Sequence, residues 1–392
     1  MDYIEGFFNI NKRKTLDDSE ADRIFHSYAT VIFALFAILA LTASFGFLPI
    51  HCQTPAEWAS GWGQFASDIC FVNGTTVIHG KDNQHKIPIE EKINYYQWVP
   101  YIFIVQFVMF ISTKKFWSYL NRIGPLNVRL LVNLAIGLQK YSPESDDYKE
   151  RMKTIIYHFR EGINHAEYDK IASYQYPIGS CIYSFFSKIS RKSYLSFVYI
   201  LYKIVEIGVI VFQIKLISDL VAEGDIFYGP KLFYDWIYRT PLEDSYYFPR
   251  MVNCTFNVRT YPQGFKFRAP AIPKTRRISC ILTNNIMNEV LFILNWIILC
   301  TMLFIMILSF ISWTVKFLSS RQKKHFIQDL ILFTSYEQQA NKIVIINSII
   351  DSITEDGIFI LQMIHKNASV GIAGSILENL VTDILELKLE FN

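Results

Sequence analysis

The chain has 392 residues, 51% of them hydrophobic and 16% aromatic, with a formal net charge of +3 and a mean hydropathy of +0.21. So small a net charge, with no Lys/Arg run interleaved with aromatics, excludes a nucleic-acid binder. No GxxxxGK[ST], HExxH or GxSxG pattern occurs, and His51 and His79 stand isolated, so neither an enzyme nor a metal or cofactor site is expected.

Charges are sparse in four stretches and dense between them, as in a protein that crosses a membrane several times. Residues 1–27 are mixed and polar, and form an N-terminal segment. Residues 28–50 carry no charge and form the first span. A cleaved signal peptide has an apolar core of about 7–15 residues behind a short basic start, whereas 27 residues precede this run, so it reads as a retained span. Residues 51–92 are a first loop with only three Lys/Arg. Residues 93–113 form the second span and open on Tyr95, Tyr96 and Trp98, rings suited to the headgroup layer.

A second loop, residues 114–193, carries 13 Lys/Arg, and this excess of positive charge marks it as cytoplasmic. The third span, residues 194–218, is interrupted by Lys203, Glu206 and Lys215. Lys203 and Glu206 lie three residues apart on one helical face and are expected to form a buried structural pair rather than a pore-facing one, with Lys215 snorkelling. Residues 219–289 are a third loop of 71 residues with nine Lys/Arg, too long for the charge rule to apply. Residues 290–315 are uncharged and form the fourth span, and residues 316–392 follow as a cytoplasmic domain. Both termini are then cytoplasmic. Helical patterns at 126–138, 147–161 and 336–364 predict that the cytoplasmic parts fold as a helical dome.

The cysteines agree with this topology. Cys52 and Cys70 fall in the first outer loop, and Cys254 and Cys280 in the second, as expected of disulfides in an oxidising compartment. Their CX17C and CX25C spacings lack the close pairs of common zinc sites. Three pairings are open to four cysteines. Cys181 and Cys300 have no such partner and read as buried thiols. Asn73-Gly74-Thr75 and Asn253-Cys254-Thr255 are N-glycosylation sequons in the outer loops. A third, Asn367-Ala368-Ser369, falls on the cytoplasmic side, where no glycan is added. The fold class is therefore an all-α integral membrane protein with four transmembrane helices, disulfide-stapled outer loops and a helical cytoplasmic dome.

Tyr95-Tyr96-Gln97-Trp98-Val99-Pro100 matches the YYQWVP signature of the innexins, the invertebrate gap-junction proteins. Asp22-Arg23, Cys52-Gln53-Thr54-Pro55, Phe248-Pro249-Arg250 with Cys254, then Leu282, Asn285, Glu289 and Phe292, and Glu355-Asp356-Gly357 also resemble that family's patterns. The resemblance implies a ring of like subunits, typically an octamer, homomeric or heteromeric, in the plasma membrane. Two rings on apposed cells would dock through their outer loops, forming a large-pore channel for ions and small molecules. It also implies the pairing Cys52–Cys280 and Cys70–Cys254, and an N-terminus (Met1, Asp2, Tyr3, Ile4, Glu5) folded into the pore. Asp2 and Glu5 would then form acidic rings that favour cations, if they face the lumen rather than water. Glycans on the outer loops would block docking, as in the related pannexins, and leave a non-junctional hemichannel. A four-span adhesion or scaffold protein is the alternative from another class; it would carry no current.

Overall fold

A computed structural model describes residues 18–46, 49–56, 58, 60–79, 89–124, 126–163, 193–238, 245–260, 272–334, 346, 349–350 and 353–390. Four of its helices are long and apolar enough to cross a membrane: α1 (Glu20–Gly46), α3 (Val99–Ile123), α6 (Tyr194–Val221) and α8 (Asn284–Leu318). Their bounds differ from the uncharged runs: α1 starts earlier and ends at Gly46, and α3 starts at Val99, after a strand that ends at Ile93, and runs past Thr113. A capping box between Ser19 and Asp22 starts α1 at Glu20, ahead of the apolar residues. π-helical turns follow at Ile24–Tyr28 and Thr42–Gly46. At the other boundary, α3 continues through Lys114 and Lys115 because Trp117 and Leu120 still bury against a core.

The chain divides into two compact units. One comprises Met1–Tyr28, Phe110–Gly208 and Phe304–Asn392. It adds to its parts of the long helices α4 (Val128–Leu138), α5 (Asp146–Ile163), α9 (Ser320–Ile331), α10 (Glu355–Asn367) and α11 (Val370–Glu390). α10 is apolar almost all round and occupies the middle of this helical domain, packed against α4 and α11. Its core joins Leu131, Ile155, Phe159, Ile327, Leu361 and Ile376.

The other unit comprises Ala29–Met109 and Val209–Leu303. It holds α2 (Ser60–Asn73), α7 (Tyr228–Tyr238) and an antiparallel sheet of β1 (His51–Cys52), β2 (Thr75–His79), β3 (Ile89–Ile93), β4 (Met251–Thr260) and β5 (Ile272–Ile281). The strand order is β1-β5-β4-β2-β3, so the two strands of one loop lie between strands of another that is far away in sequence. The cysteine pattern predicts staples here, but the strands leave no mark in the sequence. The long hairpin β4–β5 pairs Met251 with Ile281 and Thr260 with Ile272, and contributes Val252, Phe256 and Ile278 to the sheet's buried face. Gly74 joins α2 to β2 at φ +84°; a Cβ there would lie 3.1 Å from the carbonyl oxygen of Ile93, so both the backbone and the space call for glycine.

Candidate functional site: stapled outer loops and buried polar clusters

The sheet brings the four loop cysteines together. Cys52 on β1 lies opposite Cys280 on β5, and these two form a disulfide. Cys70, on the last turns of α2, is joined to Cys254 on β4. Both bonds therefore link the loop between the first two long helices to the loop between the last two. The sulfurs of Cys52, Cys70 and Cys280 all lie within 4.8 Å of one another. Because each is in a disulfide, none offers a thiolate to a metal.

The aromatic segment before α3 is built onto this sheet. Tyr96 is fully buried, and its hydroxyl donates to the carbonyls of Cys70 and Phe71 at 3.4 Å. The Gln97 amide donates to the carbonyls of Phe71 and Val72. Those carbonyls end α2 and have no partner within the helix, so the two side chains act as its C-terminal cap. Tyr95 packs edge-on against Phe248, Trp98 is exposed, and Pro100 sits in the first turn of α3, where no amide donor is missed. The YYQWVP residues thus fix the entry of the second span to the cysteine-bearing helix.

A second set of partners ties the last span to the same unit. Asn285 donates to the carbonyl of Pro249 at 2.7 Å, and Arg250 pairs with Glu289 at 3.1 Å. Phe248 stacks on Phe292, which in turn meets Phe103 of α3. Gly229 opens α7 against α8; a Cβ there would fall inside the Trp296 ring. Deeper among the long helices, Gln106 of α3 exchanges hydrogen bonds with Asn295 of α8 and donates to Gln213 of α6. All three amides are fully buried. Where lipid offers no hydrogen bonds, such amides join helices rather than face outward.

In the helical unit a buried ionic cluster gathers at the start of α1. Lys203 is fully buried and donates to Asp22; the Tyr199 hydroxyl donates to the same carboxylate at 2.6 Å. Glu206 lies 3.7 Å from the Lys203 ammonium and is also buried. Sequence spacing pointed to the Lys203–Glu206 pair, but not to Asp22, which is 181 positions from Lys203. Beside them, Asp18 takes contacts at 2.5 Å from both His26 and Lys114. Trp117 stacks on Tyr202 beneath the cluster, and Tyr199 meets Trp313 and Phe359.

A further carboxylate caps the third span. Asp356, nearly fully buried at the start of α10, accepts from the amides of Leu195 and Ser196, each at 2.9 Å, and from the Ser196 hydroxyl. Burial lifts its carboxyl to about 7, against the opposing pull of those donors. Within Glu355-Asp356-Gly357, Asp356 thus supplies the N-terminal acceptor for α6 through Leu195, 161 positions earlier.

The sequons differ in setting. Asn73 ends α2 with its side chain exposed. Asn253 is half-buried in the sheet, where its amide oxygen accepts from Ser279 at 3.3 Å. Met1, Asp2, Tyr3, Ile4 and Glu5, and Cys181, lie outside the described residues. Cys300 is half-buried on α8 and unpaired.

The comparison with known families decides among membrane architectures. The model of the innexin family matches residues 18–384. The chain belongs to the innexin family. Among its relatives in Caenorhabditis elegans, innexin eat-5 is 24% identical over 98% of this chain and 91% of its own length. Innexin-16 is 23% identical over 90% of this chain and 86% of its own length. Innexin unc-9 is 23% identical, covering 90% and 88%. Innexins are gap-junction channel proteins rather than enzymes. This innexin is accordingly a multi-pass membrane protein of a family whose channels are assembled from like subunits.

Proposed function

We propose that this innexin is a subunit of a large-pore channel that joins neighbouring cells and passes ions and small molecules. Like subunits, eight in number, form a ring in each plasma membrane and are surrounded by its lipids; two rings dock through their outer loops. The observation that carries this reading is the sheet built from both loops, held by one disulfide between strands and one from α2 to β4. A cross-linked platform is what a surface needs if it is to meet its counterpart without reordering first. α7, from the same unit, leaves Phe227 next to it, Tyr234, Trp236 and Tyr238 exposed, the residue types that dominate protein contacts.

In this reading the loops of residues 51–92 and 219–289 are extracellular, and residues 1–27, 114–193 and 316–392 are cytoplasmic. The 13 Lys/Arg of residues 114–193, and Lys316, Arg321, Lys323 and Lys324 just beyond the fourth span, support that orientation. Residues 1–5 line the cytoplasmic funnel, where Asp2 and Glu5 repeated around a ring favour cations. The Asp18–Asp22 cluster supports this placement, because it anchors the chain from Asp18 onward, where the first span begins.

One observation favours a non-junctional hemichannel instead: the exposed side chain of Asn73 on an outer-loop helix, open to a bulky glycan. Tracer exchange between donor and recipient cells tests the two modes. Transfer by the wild type supports the junctional channel. Tracer uptake by single cells, with transfer appearing only in Asn73→Gln, supports the glycan-blocked hemichannel. If the protein reaches the surface and neither version moves tracer, the channel reading fails.

A further inference from the structure

Lys316, at the C-terminal end of α8, and Lys366, on α10, bring two ammonium groups together without an ion-pair partner for either among the described residues. Trp313 lies one helical turn before Lys316, and their side chains share a face. The Lys316 ammonium sits 5.1 Å from the centre of the Trp313 ring, and the Lys366 ammonium, from α10, sits 4.9 Å from it. Attraction to the ring offsets part of the cost of bringing two cations together, but it supplies no negative charge. Among the described residues no carboxylate lies within ion-pair distance of either. Glu355 is held by Lys323 at 2.5 Å, and Asp22 is held by Lys203. Glu20 attracts Lys366 only from further off. A water-sized cleft beside Lys316 is lined also by Ser196, Tyr199, Lys323 and Glu355, while Lys366 lies outside it and Arg321 and Lys324 stand exposed on the next helix.

We propose that Lys316 and Lys366, set on the Trp313 ring, bind a phosphate monoester presented at the cytoplasmic membrane face. A phosphate monoester carries about −1.5 to −2 near neutral pH, which matches two ammoniums; a phosphodiester headgroup carries only one charge. The position fits a lipid-borne phosphate. A tryptophan closes a 26-residue uncharged run, and basic residues follow at once, as they do where a span leaves the hydrocarbon for an anionic leaflet. The bound group would bridge the last span to α10, and so to the centre of the helical domain. This inference rests on the inward orientation of that end of α8.

The test uses the full-length protein in detergent and a fluorescent short-chain phosphatidylinositol bisphosphate. Binding is expected to be displaced by the unlabelled lipid and not by short-chain phosphatidylcholine. Lys316→Gln with Lys366→Gln should weaken it roughly 25-fold, about fivefold for each ammonium lost. Lys149→Gln with Lys153→Gln removes the same charge from the exposed face of α5 and should leave binding unchanged. Inositol trisphosphate distinguishes the source: equal displacement identifies a soluble phosphate, and weak displacement identifies the lipid. Unchanged binding in the Lys316/Lys366 double variant, or equal competition by phosphatidylcholine, would overturn the site. An epitope placed after Asn392 and stained on intact cells would overturn the orientation separately, since binding in detergent does not depend on it.

Discussion

Lys203 shows at a single residue how burial turns an attraction into a requirement. Its ammonium has no access to water and is held by Asp22 from the start of α1 and Glu206 from its own helix. Removing one partner of such a group strands the other charge. Lys203→Met should therefore destabilise the protein by about 3–5 kcal/mol, seen as a large fall in apparent melting temperature in detergent. Adding Asp22→Asn should recover part of that loss, and no recovery would contradict the pairing. Asp356 makes a different prediction. Its carboxyl titrates near 7 in the folded protein, against an ordinary 3.8. The folded chain then holds this proton more tightly than the unfolded chain does, so its contribution to stability rises as pH falls from about 7 towards 4. Asp356→Asn should flatten the melting profile over that window; an unchanged slope would contradict the assignment. The sequence shows Lys203 and Glu206 as neighbours on one face, yet gives no local sign of Asp22 or of the Asp356–Ser196 contact. Such partners are separated by more than 150 positions and meet only through tertiary packing.

Among the elements, the long helices were legible because lipid forbids charge over about 20 residues, which leaves a contiguous signal. The sheet was not. β1 has two residues, and β4 finds its partners on β5 of its own loop and on β2 of the other. No periodicity within one segment reports such a pairing. What could be read was the even division of cysteines between two loops. That both bonds run between the loops was implied only by the family resemblance; in the structure they close separations of 228 and 184 positions. Peptide mapping under non-reducing conditions should recover Cys52 linked to Cys280 and Cys70 linked to Cys254; a bond within one loop would contradict the fold of this unit. Cys70→Ser with Cys254→Ser should cost about 2–5 kcal/mol and reduce surface expression. Gln106→Leu tests the buried amides. It leaves Asn295 and Gln213 with unmet hydrogen bonds and should lower stability by about 1–3 kcal/mol, whereas Gln106→Glu should be worse because it adds a buried charge. A neutral Gln106→Leu would mean that the amides do not join the helices.

At the scale of the whole molecule, the two compact units answer different demands. One is cross-linked by disulfides and built on a sheet, as suits an oxidising compartment. The other is helical, holds its carboxylates and ammoniums in buried clusters, and contains the helices that follow the last span. The chain joins the two repeatedly, since each long helix gives residues to both. The family assignment rests on a match across residues 18–384, so it takes in the spans, the stapled loops and the helical domain alike. Dual voltage clamp of paired cells expressing this innexin alone should record junctional current when both cells express the protein and none when only one does. Absence of junctional current from expressing pairs, with the protein at the surface and Asn73→Gln making no difference, would contradict a channel between cells formed by this innexin alone.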